Sequence, residues 1–338
     1  RTFRFLFRQS MQQYINSLDK PVNVAELQEG FKKYWKEKLS EDDYYNRFLP
    51  ADLASHIDLR HNYREGKGYM SSFKKEFDIR VDWEIVSEFG LTSQLGRTLE
   101  KTGSSATFFK SEEIHKVYDL MKKFLSINQL EYVAADEKKF CHFVYGILQR
   151  MRRHGAVDHP YLDKYRNEAL TLWALNWKFD GRHFLNRMFG GGVRFPKLIG
   201  VTYLDKNSDM LDMAALRREK PNWYTNYFWR HFNWPIERNL TLYNEFIREL
   251  FLKMEEVGLV NKAPQGGGNY VINPNHIWVS KNVKHIKCSN CQSTLYVAKG
   301  DSLAEDTLCL DYKCQGTYSE EINPELNYYQ QVYNRALS

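Results

Sequence analysis

The sequence predicts a mainly α-helical chain with small β elements: two winged-helix-like modules in tandem, followed by a four-cysteine zinc ribbon. Three observations carry this expectation. Apolar residues recur at helical spacing in several segments. One helix-end pattern occurs twice, at an offset of 103 residues. Four of the five cysteines crowd into KCSNCQSTLYVAKGDSLAEDTLCLDYKC, residues 287–314.

Residues 1–110 read as a helical connecting region. FRFLFRQSMQQYINSL places apolar side chains at 3, 6, 7, 11, 14, 15 and 18, and VAELQEGFKKYWKEKLS at 24, 27, 31, 34, 35 and 39. Polar, Gly-bearing residues 61–81 read as a loop. Asp82 then offers an N-cap for a helix to Phe89, and a second helix follows Gly90 from Thr92 to Lys101. This helical hairpin is compatible with a helix-turn-helix reading DNA through Arg97 and Lys101, and equally with plain helix packing.

Residues 111–165 form the first winged-helix-like module. SEEIHKVYDLMKKFLSIN reads as a helix capped at Ser111, and DEKKFCHFVYGILQRMRRHG as another, ending at Gly155. Its end, FVYGILQRMRRHGAV, matches FIRELFLKMEEVGLV of the second module, residues 236–282. Phe143 aligns with Phe246, Met151 with Met254, Gly155 with Gly258 and Val157 with Val260. Each half is an apolar helix face, a C-cap Gly and a β-branched residue opening a strand. The turn residues of 264–269, then YVI and HIWV, read as a two-stranded wing.

Residues 166–235 form a basic, aromatic-rich linker. NWYTNYFWRHFNW carries Trp223, Trp229 and Trp234 without strict period, suited to core packing or to base stacking. Gly190–Gly192, flanked by Arg187, Arg194 and Lys197, lacks P-loop spacing.

Composition narrows the class. A chain of 338 residues has length for two or three domains. Its 43% hydrophobic and 27% charged residues suit a globular protein. No apolar run approaches the roughly 18 residues of a membrane helix, so no membrane partner is expected. RTFRFLFRQSMQQY has arginines through its apolar part and no cleavage site, so it is not a signal peptide, and the missing initiator Met reads as an excised piece of a longer chain. An odd cysteine count with Cys141 alone argues for a reducing, cytoplasmic setting.

Net charge is +6, and its distribution is uneven. Residues 142–199 hold ten Lys/Arg against four acids, leaving the rest of the chain neutral. Such a block fits a polyanion partner or a solvated face beside an acidic domain. On the first reading, Arg150, Arg152, Arg153, Arg182, Arg187, Arg194 and Lys197 contact DNA phosphates, with the wing residues Lys262 and Asn269 assisting.

The cysteine spacing is Cys288-x2-Cys291, seventeen residues, then Cys309-x4-Cys314. Strand-like HIK and TLYVA frame two knuckles. Four thiolates suit a closed tetrahedral Zn²⁺ with no open coordination position, so residues 283–320 read as a ribbon around structural zinc. His285 is near but superfluous. There is no Walker A, no DExH/D, no HExxH, no GxSxG and no strand-borne GxGxxG in the chain, so catalysis by these residues alone is not expected.

Two local texts extend this reading. DWEIVSEFGLTSQLGRTLEKTGSS (82–105) and INPELNYYQQVYNRALS (322–338) resemble segments of large DEAD/DEAH-box superfamily 2 helicases of bacterial antiphage defence, of the Druantia kind. The resemblance covers 82–105 and 240–338. It implies a DNA-binding accessory region, gripping single strands or duplex junctions with little sequence preference. Residues 321–338 would lead to a motor lobe beyond this sequence. ATP and Mg²⁺ would belong to such lobes of the parent protein, the first expected partner after DNA, with other defence-system subunits further candidates. Cys288, Cys291, Cys309 and Cys314 carry over as metal ligands. The alternative is a protein docking scaffold within a nucleic-acid-processing complex.

Overall fold

Aromatic side chains at helical spacing build the amino-terminal part. The computed structural model describes residues 2–49, 71–91, 98–162, 196–202, 211–216, 221–233, 239–263 and 268–332, apart from 323, 327 and 329. Four helices open the chain: α1 (Thr2–Asn16), α2 (Val24–Lys38), α3 (Glu41–Phe48) and α4 (Ser71–Phe89). A capping box starts α2, with the Asn23 side chain accepting from the Glu26 N–H and the Glu26 carboxylate accepting from the Asn23 N–H. Phe31 lies 5.3 Å from Phe7 and 5.2 Å from Phe48, ring centre to ring centre, and Tyr45 lies 4.8 Å from Phe77. Tilted and edge-on pairs of this kind add about 0.5–1.5 kcal/mol each beyond area burial.

Helix α4 corrects one expectation. The loop expected over 61–81 gives way, in its described part, to helix, and Asp82 lies inside that helix. Phe73, Phe77 and Val81 repeat at four-residue spacing and are buried, while the Asp82 carboxylate pairs with Lys32 Nζ at 2.9 Å instead of capping. Of the second expected helix only residues 98–101 are described, and they are turns. There the Leu99 N–H donates to the Glu88 carboxylate at 2.8 Å, an orientation that breaks with helical bonding. The described part therefore forms no helix-turn-helix. Arg97 lies outside the described residues.

The middle of the chain is built on α5 (Ser111–Ile127), the short α6 (Glu131–Ala134), α7 (Glu137–Arg153), α8 (Trp223–Phe232) and α9 (Leu240–Val257). No side-chain cap starts α5; its N-cap is Lys110 and Ser111 is already helical. Helix α7 is buried almost all round, from Phe140 to Gln149, and α5 packs on both α7 and α9. Gly146 of α7 lets α8 approach, since a Cβ there would lie 2.1 Å from Tyr227 Oη.

The repeated helix end is real in its local form. Gly155 and Gly258 both take left-handed backbone, at φ 78° and 90°, as C-cap glycines do. Val157 and Val260 then both pair with Ile272. Ile272 belongs to β6 (Asn269–Ile272), in a four-stranded sheet ordered β4 (Leu211–Met213), β3 (Leu198–Gly200), β6, β5 (Val260–Lys262). This sheet is built from strands of the expected linker and second module, Val157 of the first joins it only by a single bridge to Ile272, and an apolar core runs from Phe7 to Tyr318.

The expected wing is corrected too. YVI and HIWV do not pair with each other. The first lies in β6, whereas β7 (Trp278–Ser280) sits centrally in another sheet, between β1 (Val22–Asn23) and β2 (Ala106–Phe108). A 3-10 turn at Pro274–His276 redirects the chain between them. The carboxy-terminal sheet is ordered β10 (Tyr318–Glu320), β8 (Val283–Cys288), β9 (Thr294–Ala298). The architecture is mainly α with small sheets, as expected. Among the described residues no helix is long and apolar enough to cross a membrane.

Candidate metal centre

Strand β8 ends on Cys288, and the turn after it carries Cys291. The chain returns through β9 and a loop to Cys309 and Cys314, and β10 closes the sheet beside Cys288, with Tyr318 opposite it. The four sulfurs all lie within 4.8 Å of one another. Sγ of Cys288 is 3.6 Å from that of Cys314, and Sγ of Cys291 is 3.6 Å from that of Cys309. A tetrahedron with Zn–S bonds of about 2.3 Å has sulfur edges of about 3.8 Å, so the cluster fits one ion.

The backbone follows the same plan. In each knuckle an N–H two residues on points at a sulfur: Asn290 to Cys288 and Asp311 to Cys309, both at 3.5 Å. Gly316 makes room, since a Cβ there would lie 2.6 Å from Cys288 Sγ. Burial pushes the Cys309 thiol up to about 12. Burial would raise Cys314 as well, but the Gly316 N–H and the neighbouring cysteines bring it down to about 7. Metal entry therefore displaces protons, as thiolate sites require. His285 stays outside the cluster and pairs with Glu321 at 2.7 Å. The four cysteines form a site able to hold a metal ion, with a donor set and spacing compatible with structural zinc.

Helix α8, read from sequence only as an aromatic stretch, supports the second knuckle. Its Trp223 Nε1 donates to Leu310 O at 2.9 Å, and Arg230 Nη1 donates to Cys309 O at 3.4 Å and to Cys314 O. Core packing is the use of its buried rings, while Trp229 stays half exposed and Trp234 lies outside the described residues. The seven-residue step from Trp223 to Arg230, two helical turns, was the signal that could have placed both on one face.

The basic candidates divide. Arg152 is buried, and its guanidinium bonds to Glu100, Gln149 and Phe89 O. It is a core ion-pair residue with no surface to offer a phosphate, which corrects the sequence expectation. Asn269 is likewise buried. Arg150 is largely covered and pairs with Asp212 at 3.1 Å over the Trp223 ring. Burial alone would raise Asp212, but His154 and Arg150 hold its carboxyl at about 2. Lys262 is exposed yet pairs with Glu255 at 2.9 Å. Arg153 and Lys197 are partly exposed and have no carboxylate partner among the described residues. Arg182, Arg187, Arg194 and Gly190–Gly192 lie outside the described residues.

Cys141 is buried, and burial pushes its thiol up to about 12. Its contact with His115 uses the same Nδ1 that faces Glu137, so the three form no relay. Comparison with protein-family models, with curated proteins and with solved structures gives no match to this chain.

Proposed function

We propose that this chain is a DNA-binding accessory region of an ATP-dependent superfamily 2 helicase or translocase of antiphage defence, stapled by structural zinc. The observation that carries the reading is charge gathered at the carboxy end of α7. Arg153 ends that helix, and the Lys197 N–H donates to His154 O beside it at 2.9 Å. Burial, and next the Arg153 charge, lower the Lys101 pKa, which marks two cations held close together; Glu100 and Asp311 partly offset them. Positive charge gathered in this way attracts phosphate.

A four-sulfur centre has no position for water or substrate, which supports a scaffold role for the metal. The helix–glycine–valine units are read as its winged-helix-like elements. ATP and Mg²⁺ would act in motor lobes outside this sequence, in the cytoplasm. Fluorescence anisotropy against labelled single-stranded and junction DNA tests the proposal. Binding should fall steeply with salt and depend little on sequence. Changing Arg153→Glu with Lys197→Glu should weaken it on every sequence and flatten the log–log salt slope by about 0.9 on duplex, or about 0.7 on a single strand, for each phosphate no longer neutralised. Salt-insensitive or absent binding by the folded, metal-loaded chain would sink it.

A docking scaffold is the second reading. Ile322, Leu326 and Tyr328 are 85%, 55% and 65% exposed, an apolar run suited to a protein partner. Partner binding that ignores salt, without DNA affinity, would favour it.

A further inference from the structure

Arg230 is an unusual guanidinium. It is only 7% exposed, and no carboxylate pairs with it among the described residues. One nitrogen, Nη1, donates to the carbonyls of Cys309 and Cys314, while buried Nε and Nη2 have no partner among the described residues. Burying a cation with neither counter-charge nor full hydrogen bonding is costly, and buried unsatisfied donors point to something they compensate. The side chain is also held in place. Its guanidinium lies 5.6 Å from the Tyr227 ring centre, and that ring stacks at 4.6 Å on Trp223.

Among the described residues, the negative charge nearest to it is that of the cysteine cluster together with the Asp311 carboxylate beside that cluster. A divalent ion with four thiolates carries a net double negative charge. Lys101 and Arg153 also carry charge near the second knuckle, but neither hydrogen-bonds a ligand carbonyl as Arg230 does among the described residues. The Asp311 carboxylate lies 3.4 Å from Cys291 Sγ and adds negative charge. Lys287 is engaged by Glu321 at 3.1 Å, and Lys313 sits exposed over Tyr312.

We propose that Arg230 is the counter-charge and positioning residue of the metal centre. Its charge offsets the loaded thiolate cluster, and its bonds to the carbonyls of both second-knuckle ligands hold Cys309 and Cys314 toward the ion. The proposal rests on the four cysteines binding a metal, and the experiment separates the two.

Full-length chain would be titrated with Zn²⁺ against a chromophoric chelator, and with Co²⁺ followed by its thiolate charge-transfer band. Arg230→Gln should weaken zinc binding by roughly 10–100-fold, the range for partners behind metal ligands, and should lower the cobalt band. Arg230→Lys keeps the charge and should recover most of that loss. Trp223→Phe removes the other α8 hydrogen bond to the knuckle without changing charge, and should cost no more than about fivefold. Wild-type chain that binds neither ion overturns the metal reading itself. Tight wild-type binding with Arg230→Gln equal to it overturns only the role of Arg230, as does Arg230→Lys binding as weakly as Arg230→Gln. Should Arg230→Gln fail to fold at saturating zinc, Arg230→Lys decides alone: affinity within about tenfold of wild type supports the proposal, and a larger loss overturns it.

Discussion

Asp301 shows what burial does to one carboxyl. It is 2% exposed, takes a hydrogen bond from Tyr145 Oη at 2.7 Å and another from the Leu303 N–H at 3.1 Å. Burial still outweighs these donors and raises its pKa to about 6. Between about pH 4 and 6 the folded chain therefore holds a proton that the unfolded chain has released. Stability from this group falls as pH rises through that window and stays lower above it. Asp82, raised by burial to about 6, acts with the same sign. Asp212, held at about 2, acts oppositely, and its contribution is lost as pH falls below about 4. Replacing Asp301→Asn should shrink the loss of urea-unfolding stability between pH 5 and pH 7 by about 1 kcal/mol. An unchanged drop would assign the pH dependence to other groups.

At the scale of elements, the α7–α8 contact depends on a missing side chain. Gly146→Ala would set a Cβ against the Tyr227 hydroxyl and should destabilise the fold by about 1–3 kcal/mol. Adding Tyr227→Phe removes that oxygen, buried without a partner among the described residues, and should restore part of the stability in a denaturant melt. Additive losses in the double variant would refute the contact. The helices themselves were legible, because Leu27, Phe31 and Trp35 repeat at helical period, and so was the cysteine cluster, because thiolate spacing is constrained by one ion. Strand partners were not. Three-residue strands carry almost no period, and β7 takes its neighbours from segments far apart in the chain. Nor could adjacent arginines be told apart. Arg152 turns inward because Glu100, 52 positions earlier, waits there in a turn, whereas Arg153 does not.

For the whole molecule, the ribbon is not an appendage. Trp223 and Arg230 tie α8 to the second knuckle, Tyr145 of α7 bonds to Asp301, and Lys138 reaches Asp306 at 2.8 Å. With zinc held by the four cysteines as proposed, binding would supply on the order of 10 kcal/mol to folding, and chelation should be felt beyond the knuckles. Removing metal should lower the Tm by about 20 °C or more, at roughly 2–4 °C per kcal/mol. Hydrogen exchange should then show reduced protection in residues 223–232 as well as 283–320, with α1–α3 unaffected. A change confined to 283–320 would mean the ribbon unfolds independently.

The position of β7 bears on how the molecule can be cut. Its two hydrogen-bonding flanks are occupied by segments from the first 110 residues. A shortened version beginning at 111 would strip both flanks from Trp278–Ser280 and leave raw strand edges immediately upstream of the sulfur cage. Such edges recruit copies of themselves. Clumping of that truncated product would therefore reflect an absent neighbour, and co-supplying the leading helical piece in trans is the natural remedy.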